Sequence, residues 1–361
     1  MGIKGIKENF REIFWGILIV FILALLGILN QWIIAGNSTL FWKNLFWHLA
    51  GFTILIFLTF LVDYRKIPVQ IIWYIYLVLL FVLFISFILK KRWLSLGFVV
   101  FQPSEFVKPV LVLLISLIAS KEPNPYLKIR TLVKLLAIII IPLVLILPVD
   151  LDYAFIMMVM FVSFLFFIGI PKRIIIAFGL IGLIVGLVVC PVFWKNLKPH
   201  QKGRIYGYLN PEKYAKTWGY QLNQALIAIG SGGFWGYGFK KGWSTRLNYL
   251  PAKHTDLAFA VWAETWGFVG VSLVLLLYGY LLYLCIKISY IAKDWLGKYL
   301  SLGVALVLFW QAMFNIGGCA GLLPMTSIPF PFLSYGGSIT ISAYILLSLS
   351  FNTALKRHFF K

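Results

Sequence analysis

The chain has 361 residues, 61% of them hydrophobic, and a mean hydropathy of +0.93. No soluble domain of this length hides that much apolar surface, so a soluble fold is excluded. The net charge of +21 invites a nucleic-acid reading, yet the basic residues sit mostly in short connections between apolar runs, and no nucleic-acid motif accompanies them.

Apolar runs long enough to cross ~30 Å of hydrocarbon recur from end to end. They predict an all-α polytopic membrane protein, a single membrane domain over residues 1–361, with about ten transmembrane helices. The spans fall at about 14–35, 41–62, 68–89, 105–120, 131–148, 153–170, 174–194, 256–286, 299–318 and 337–355. The first is too long for a signal-peptide core and lacks a small-residue cleavage site, so it reads as a retained span. Lys4, Lys7, Arg11, Arg65, Lys66, Lys172 and Lys356 fall on one side, while the short loops opposite offer only Lys43, Lys90, Lys91 and Arg92. That bias puts both termini in the cytoplasm.

Between the third and fourth spans, "QPSEFVKP" at 102–109 brings Glu105 and Lys108 within one helical turn. A self-neutralising structural pair and a substrate contact are both open readings. Gln102 and Ser104 add hydrogen-bonding capacity. Asp150 and Asp152, in the next outer connection, read as solvated loop acids near the mouth of a site.

Residues 195–255 form a long extracytoplasmic loop between spans seven and eight, with ten basic residues from Lys195 to Lys253 against one acid, Glu212. Long loops escape the orientation rule, so this charge needs a functional account. Trp218 to Gly230 has apolar residues at helical spacing and predicts a helix lying on the membrane or the bundle. The glycine-rich "GSGGFWGYGFKKGW" that follows is neither a dinucleotide fingerprint nor a phosphate loop. It reads as tight turns between aromatic anchors, with the added reading that its amides approach an anion.

Asp256 stands where a hydrophobic helix begins, with Thr255 as the expected N-cap. A partly desolvated carboxylate beside a cationic loop suits a general base, while a plain helix-end charge is the blander reading. Glu264, eight residues on, is expected to pair internally with another helix. "GLLPMTSIPFPFLSYGGS" at 321–338 is uncharged and proline-rich, and reads as the lining of a site opening outward. Cys190, Cys285 and Cys319 lack metal spacing; small apolar packing accounts for them, although Cys190 and Cys319 share the outer face. His48, His200 and His358 are scattered, and His254 has no metal partner at a known spacing.

"QPSEFVKP", "HQKGRIYGYLNP", "GYQLNQALIAIGSGGFWGYGF", "LPAKHTDLAFAVWAETWGFVG" and "PFPFLSYGGS" occur in that order. Over nearly the whole chain this resembles the SEDS family (RodA/FtsW) of bacterial cell-wall glycosyltransferases, with the RodA branch the nearer by its short tails. The resemblance implies a peptidoglycan glycosyltransferase that polymerises lipid II at the outer face of the cytoplasmic (inner) membrane for cell elongation. Its implied partners are a class B penicillin-binding transpeptidase and elongasome membrane proteins. The family's essential aspartate falls on Asp256 as catalytic base. Glu105, Lys108 and Arg204 fall on its motif positions, and Gln102, Ser104, His254, Thr255 and Ser334 complete the implied substrate contacts. No cofactor is implied with certainty; Mg or Mn is compatible with the diphosphate, though no dedicated ligand set appears. Where the family has a glutamate before its HTD, this chain has Ala252. A flippase of lipid-linked precursors, a division-type polymerase and a non-catalytic scaffold are the rival readings.

Overall fold

The computed structural model describes residues 3–97, 99–122, 126–171, 173, 174, 176, 195, 199–243, 247 and 249–357. Its helices are α1 (Ile3–Ala35), α2 (Thr39–Leu61), α3 (Val69–Leu89), α4 (Pro103–Ser120), α5 (Ile129–Ile146), α6 (Leu151–Gly169), α7 (Pro199–Leu209), α8 (Tyr220–Ser231), α9 (Ala258–Ile291), α10 (Trp295–Cys319) and α11 (Gly337–Lys356). Nine of these, all but α7 and α8, are long and apolar enough to cross a membrane. Of the expected span at 174–194, all but residues 174 and 176 lie outside the described residues. A hairpin of β1 (Leu94–Leu96) and β2 (Val99–Phe101), paired Leu94 with Phe101, joins α3 to α4.

The bundle is ordered from inside outward by polarity of a particular kind. α11 is buried almost throughout, although it carries Ser338, Thr340, Ser342, Ser348, Ser350, Asn352 and Thr353. Small hydroxyl residues let helices approach closely in lipid and can bond back to carbonyls. The Ser342 hydroxyl donates to the Glu105 carbonyl at 2.8 Å, and the Ser338 hydroxyl accepts from the Gln102 amide at 2.9 Å, fastening α11 to α4. α2 and α3, by contrast, expose Phe46, Phe57, Phe81 and Ile88 as lipid-facing helices do. At the end opposite the cavity described below, the Tyr64 hydroxyl donates to Asp294 at 2.7 Å. Glu12 there meets Lys287 and Arg357 at 3.2 and 3.5 Å.

α9 is not one continuous rod. Gly267 takes φ 60° and ψ −159° inside it. The Trp262 indole then reaches the Gly270 carbonyl at 2.9 Å, whereas eight residues of straight helix would separate them by about 12 Å along the axis. The chain therefore bends sharply at Gly267. The glycine-rich turn fills the notch of this bend: Phe268 and Val269 amides donate to the Gly233 and Phe234 carbonyls, and Tyr237 and Gly238 amides donate to the Glu264 and Thr265 carbonyls. Those two turn amides serve α9, which overturns their reading as anion ligands. A Cβ on Gly236 would fall 2.2 Å from the Thr265 carbonyl oxygen, so only glycine admits this approach.

Gly236 and Gly238 make a matched pair, because both have positive φ (78° and 84°) but only Gly236 faces backbone. Gly238→Ala should cost about 1–2 kcal/mol, the left-handed penalty alone. Gly236→Ala should cost about 2–4 kcal/mol, since the bend must also open. Thermal unfolding of the solubilised protein ranks them; equal midpoints would show that the turn does not lock the bend.

Candidate functional site

Four stretches distant in sequence meet at one end of the bundle: the first turns of α2, the hairpin region, the turn before α9, and residues 327–337. They enclose a cavity of about 800 Å³. Its lining is apolar at Trp42, Phe46, Trp47, Trp93, Val100 and Pro329, and polar at Lys43, Arg92, Thr255, Asp256, Ser327 and Tyr335.

Asp256 is half-buried and projects from a turn that ends at Leu257, the residue that caps α9 without a side-chain bond. Thr255 is therefore not the N-cap. Its hydroxyl points back to the Ala252 carbonyl at 3.4 Å, because Ala252, at φ 47°, curls the chain so that the Thr255 and Leu257 amides also meet that carbonyl. Three amide side chains hold this turn. Asn315 Nδ2 on α10 donates both to the Asp256 carbonyl at 2.9 Å and to the Ile328 carbonyl at 2.8 Å. Gln31 on α1 donates to the His254 carbonyl at 3.0 Å, which the Tyr335 amide also reaches at 2.8 Å. Asn30 donates to the Ala258 carbonyl at 3.0 Å and to the Leu333 carbonyl at 3.5 Å. The Cys319 thiol also faces the Asp256 carbonyl, at 3.6 Å. Cys190, its expected neighbour, lies outside the described residues.

Arg92 is the cation that the sequence treated as loop charge. Its Nε lies 2.8 Å from the Asp150 carboxylate, and its two terminal nitrogens donate at 2.7 Å to the Ser327 hydroxyl and carbonyl. Asp150 is correspondingly not a solvated loop acid: it also caps α6 by accepting from the Tyr153 amide at 3.2 Å. The signals available for these residues were an amide inside an apolar span, as at Asn30, Gln31 and Asn315, and the run of three cations, Lys90, Lys91 and Arg92, in a short outer loop.

Among the described side chains, the remaining expected site residues do not line the cavity. Glu105 and Lys108 form an ion pair at 2.5 Å, each 1% exposed, with the ammonium 5.4 Å from the Tyr153 ring centroid. Gln102 and Ser104 are buried beside them. Ser334, expected to face outward, is buried; its hydroxyl accepts from the Phe330 amide at 3.0 Å and shapes the turn. The His254 Nδ1 is buried without a hydrogen-bond partner. Burial, and then the positive Lys253, push its imidazole below the usual range, so it adds no charge at neutral pH. Glu264 is fully buried; its carboxylate abuts Gly242 of the loop, and burial first and then this carboxylate raise the Tyr249 hydroxyl to about 12. The Arg204 backbone belongs to α7, and its side chain lies outside the described residues, as do Lys172 and the His200 side chain. Among the described residues no three His, Cys, Asp or Glu side chains converge as a metal site.

Residues 10–358 match the family described as cell cycle protein, FTSW_RODA_SPOVE. The peptidoglycan glycosyltransferase MrdB of Escherichia coli K12 is 35% identical over 271 residues, 74% of this chain and 70% of that protein. The MrdB of Helicobacter pylori is 31% identical over 352 residues, 94% of this chain and 90% of that protein. Among solved structures, a chain from a study of polymerization and crosslinking by a peptidoglycan synthase complex superposes with a TM-score of 0.74 at 25% identity. It covers 95% of this chain and 98% of its own.

The buried ion pair makes a sharp test. Glu105→Gln or Lys108→Met alone leaves one charge sealed in the bundle and should cost about 3–5 kcal/mol, whereas the double replacement should recover most of that loss. Thermal unfolding of the three variants measures the coupling. Additive losses would mean that the two charges are not each other's main partner.

Proposed function

This chain belongs to the FtsW/RodA/SpoVE family, and we propose that it polymerises lipid II into β-1,4 glycan by inverting transfer, with Asp256 as base. The observation that carries this reading is the cavity itself. A carboxylate, two cations and several aromatic side chains line it together. That mixed lining suits a substrate made of sugars, a diphosphate and a polyprenyl tail.

Asp256 accepts the proton of the acceptor's GlcNAc 4-hydroxyl as its oxygen attacks C1 of the donor's MurNAc. The bond from C1 to the phosphate oxygen breaks, and undecaprenyl diphosphate leaves with the electron pair. Arg92, held in place by Asp150 and Ser327, and the exposed Lys43 balance the charge that develops there. One base and one displacement invert an α-linked donor to a β-linked product. Mg or Mn, where present, would find Asp256 and the diphosphate as ligands and would add Lewis-acid stabilisation. Glu105 and Lys108 support the α4–α11 joint under the site, and Arg204 adds to the cationic loop. His254 and Ser334 act through the backbone they position.

The cavity end is assigned to the extracytoplasmic side, with both termini in the cytoplasm. Similarity to MrdB supports a role in elongation and rod shape. The superposition on a chain from a peptidoglycan synthase complex supports pairing with a class B penicillin-binding transpeptidase, in company with elongasome proteins.

Two outcomes follow. Purified protein in detergent should make glycan from lipid II, which a flippase or scaffold cannot do. Asp256→Asn, which keeps size but cannot take a proton at neutral pH, should lower turnover about 10²–10⁴-fold with lipid II affinity retained. Near-normal turnover would end the assignment of the base. For orientation, Lys241→Cys in a cysteine-free background should react with an impermeant thiol reagent in intact cells and Lys66→Cys should not; the reverse pattern overturns the topology.

A further inference from the structure

Asp256 lines two pockets. Besides the large cavity, it borders a notch of about 10 Å³ whose polar groups come from Gln221, Thr326 and Ser327. Asp256 and Ser327 are common to both, so notch and cavity meet at the carboxylate. A volume of this size admits one water or one hydroxyl group. The Thr326 Oγ1 is buried there with no hydrogen-bond partner. A hydroxyl without a partner, on a residue that lines a polar, hydroxyl-sized space, can bond a donor or acceptor that enters from outside the chain.

The notch does not end at Gln221. A third small cleft, of about 20 Å³, shares Gln221 and Met325 with it and continues to Tyr208 and Trp218. Gln221 and Trp218 are exposed there. The whole line is braced to the base: the Tyr220 hydroxyl donates to the Tyr249 carbonyl at 2.9 Å, and the Tyr208 hydroxyl donates to the Leu322 carbonyl at 3.0 Å. Three adjoining pockets thus run from the carboxylate over an amide to an indole and a phenol. Hydroxyl-bearing sugar rings match such a surface, with one edge for hydrogen bonds and one face for aromatic contact. The polyprenyl tail does not match it; its complement is the apolar lining of the large cavity.

We propose that this line is the acceptor track: the reacting sugar hydroxyl sits in the notch against Asp256 and Thr326, Gln221 bonds the same sugar, and the next sugar lies against Trp218. The lipid-linked donor then occupies the large cavity. The proposal rests on the glycosyltransferase reading and adds which molecule goes where. It agrees with the demand that a general base lie within hydrogen-bond reach of the proton it takes.

Donor and acceptor must be varied separately to test it. A labelled lipid-linked disaccharide whose acceptor hydroxyl is epimerised can donate but cannot accept. Held at saturation, it reports transfer to lipid-linked acceptors of two or four sugars. Gln221→Ala and the nearly isosteric Thr326→Val should each raise the half-saturating acceptor concentration about three- to tenfold, the loss of one neutral hydrogen bond. Binding of the epimerised donor should stay as in wild type, which also certifies the fold. Wild type should favour the four-sugar acceptor, and Trp218→Leu should erase that preference. Unchanged acceptor saturation, or an equal loss of donor binding, overturns the track while leaving the base in place. A wild type that transfers to neither acceptor nor lipid II removes the underlying reading instead.

Discussion

Irregular backbone cannot survive at membrane depth unless the protein itself satisfies its carbonyls. Two irregular segments wall this site, the turn at 249–257 and the run at 327–336, and their bonds come from amide side chains on neighbouring spans. The economy of the arrangement matters more than the number of bonds. Asn315 uses one nitrogen for the carbonyls of Asp256 and Ile328, and Asn30 does the same for Ala258 and Leu333. Neither segment can shift without breaking a bond to the other. The base and the 327–336 run are therefore placed as one unit, which is the preorganisation that a displacement reaction needs.

Charge is distributed by the same logic. Arg92 is bound on three sides by Asp150 and Ser327, so its fork is aimed by the fold before a substrate arrives. Lys43 is exposed by comparison, a point charge on a four-carbon stem. Glu105 and Lys108 neutralise each other where α4 meets α11, too deep to touch a substrate in the cavity. A family motif thus marks these two residues as important without saying whether they bind or support. Their burial favours support.

The membrane spans were legible because hydropathy is a local property, and so was Asp256, because an acid at the mouth of an apolar run stands out in an acid-poor chain. The glycine-rich turn could be read as a tight turn, but not as the filling of a bend in α9, since the bend and the turn are about thirty residues apart. Partnerships across the fold were illegible for the same reason. Asn30 and Ala258 are 228 positions apart, and nothing at either place announces the other. Thr255 looked like a cap because a threonine before an apolar run usually is one. Ala252, in a left-handed conformation, diverts the chain before that role can be taken up. Ser334 looked like lining because it is polar in a segment that lines the site, yet one residue on, Tyr335 faces the cavity while Ser334 turns inward to hold the loop.

The apolar lining explains how so amphipathic a substrate can reach a carboxylate. Trp42 and Phe46 line the cavity from the first turns of α2, and the same helix exposes Phe57 and Leu61 further along. One helix thus carries both apolar cavity lining and exposed apolar surface. A polyprenyl chain can remain in the bilayer along α2 while its diphosphate reaches Arg92, so the tail never has to be extracted, a step that would cost about 0.8 kcal/mol for each CH₂ group. Only the sugars must reach the polar lining. There the bend at Gly267 makes the first nine residues of α9 a separate short helix, Ala258–Trp266, hung between Asn30 and the glycine-rich turn. The turn that leads into it holds Asp256 at the cavity, where the anomeric carbon of such a substrate must lie.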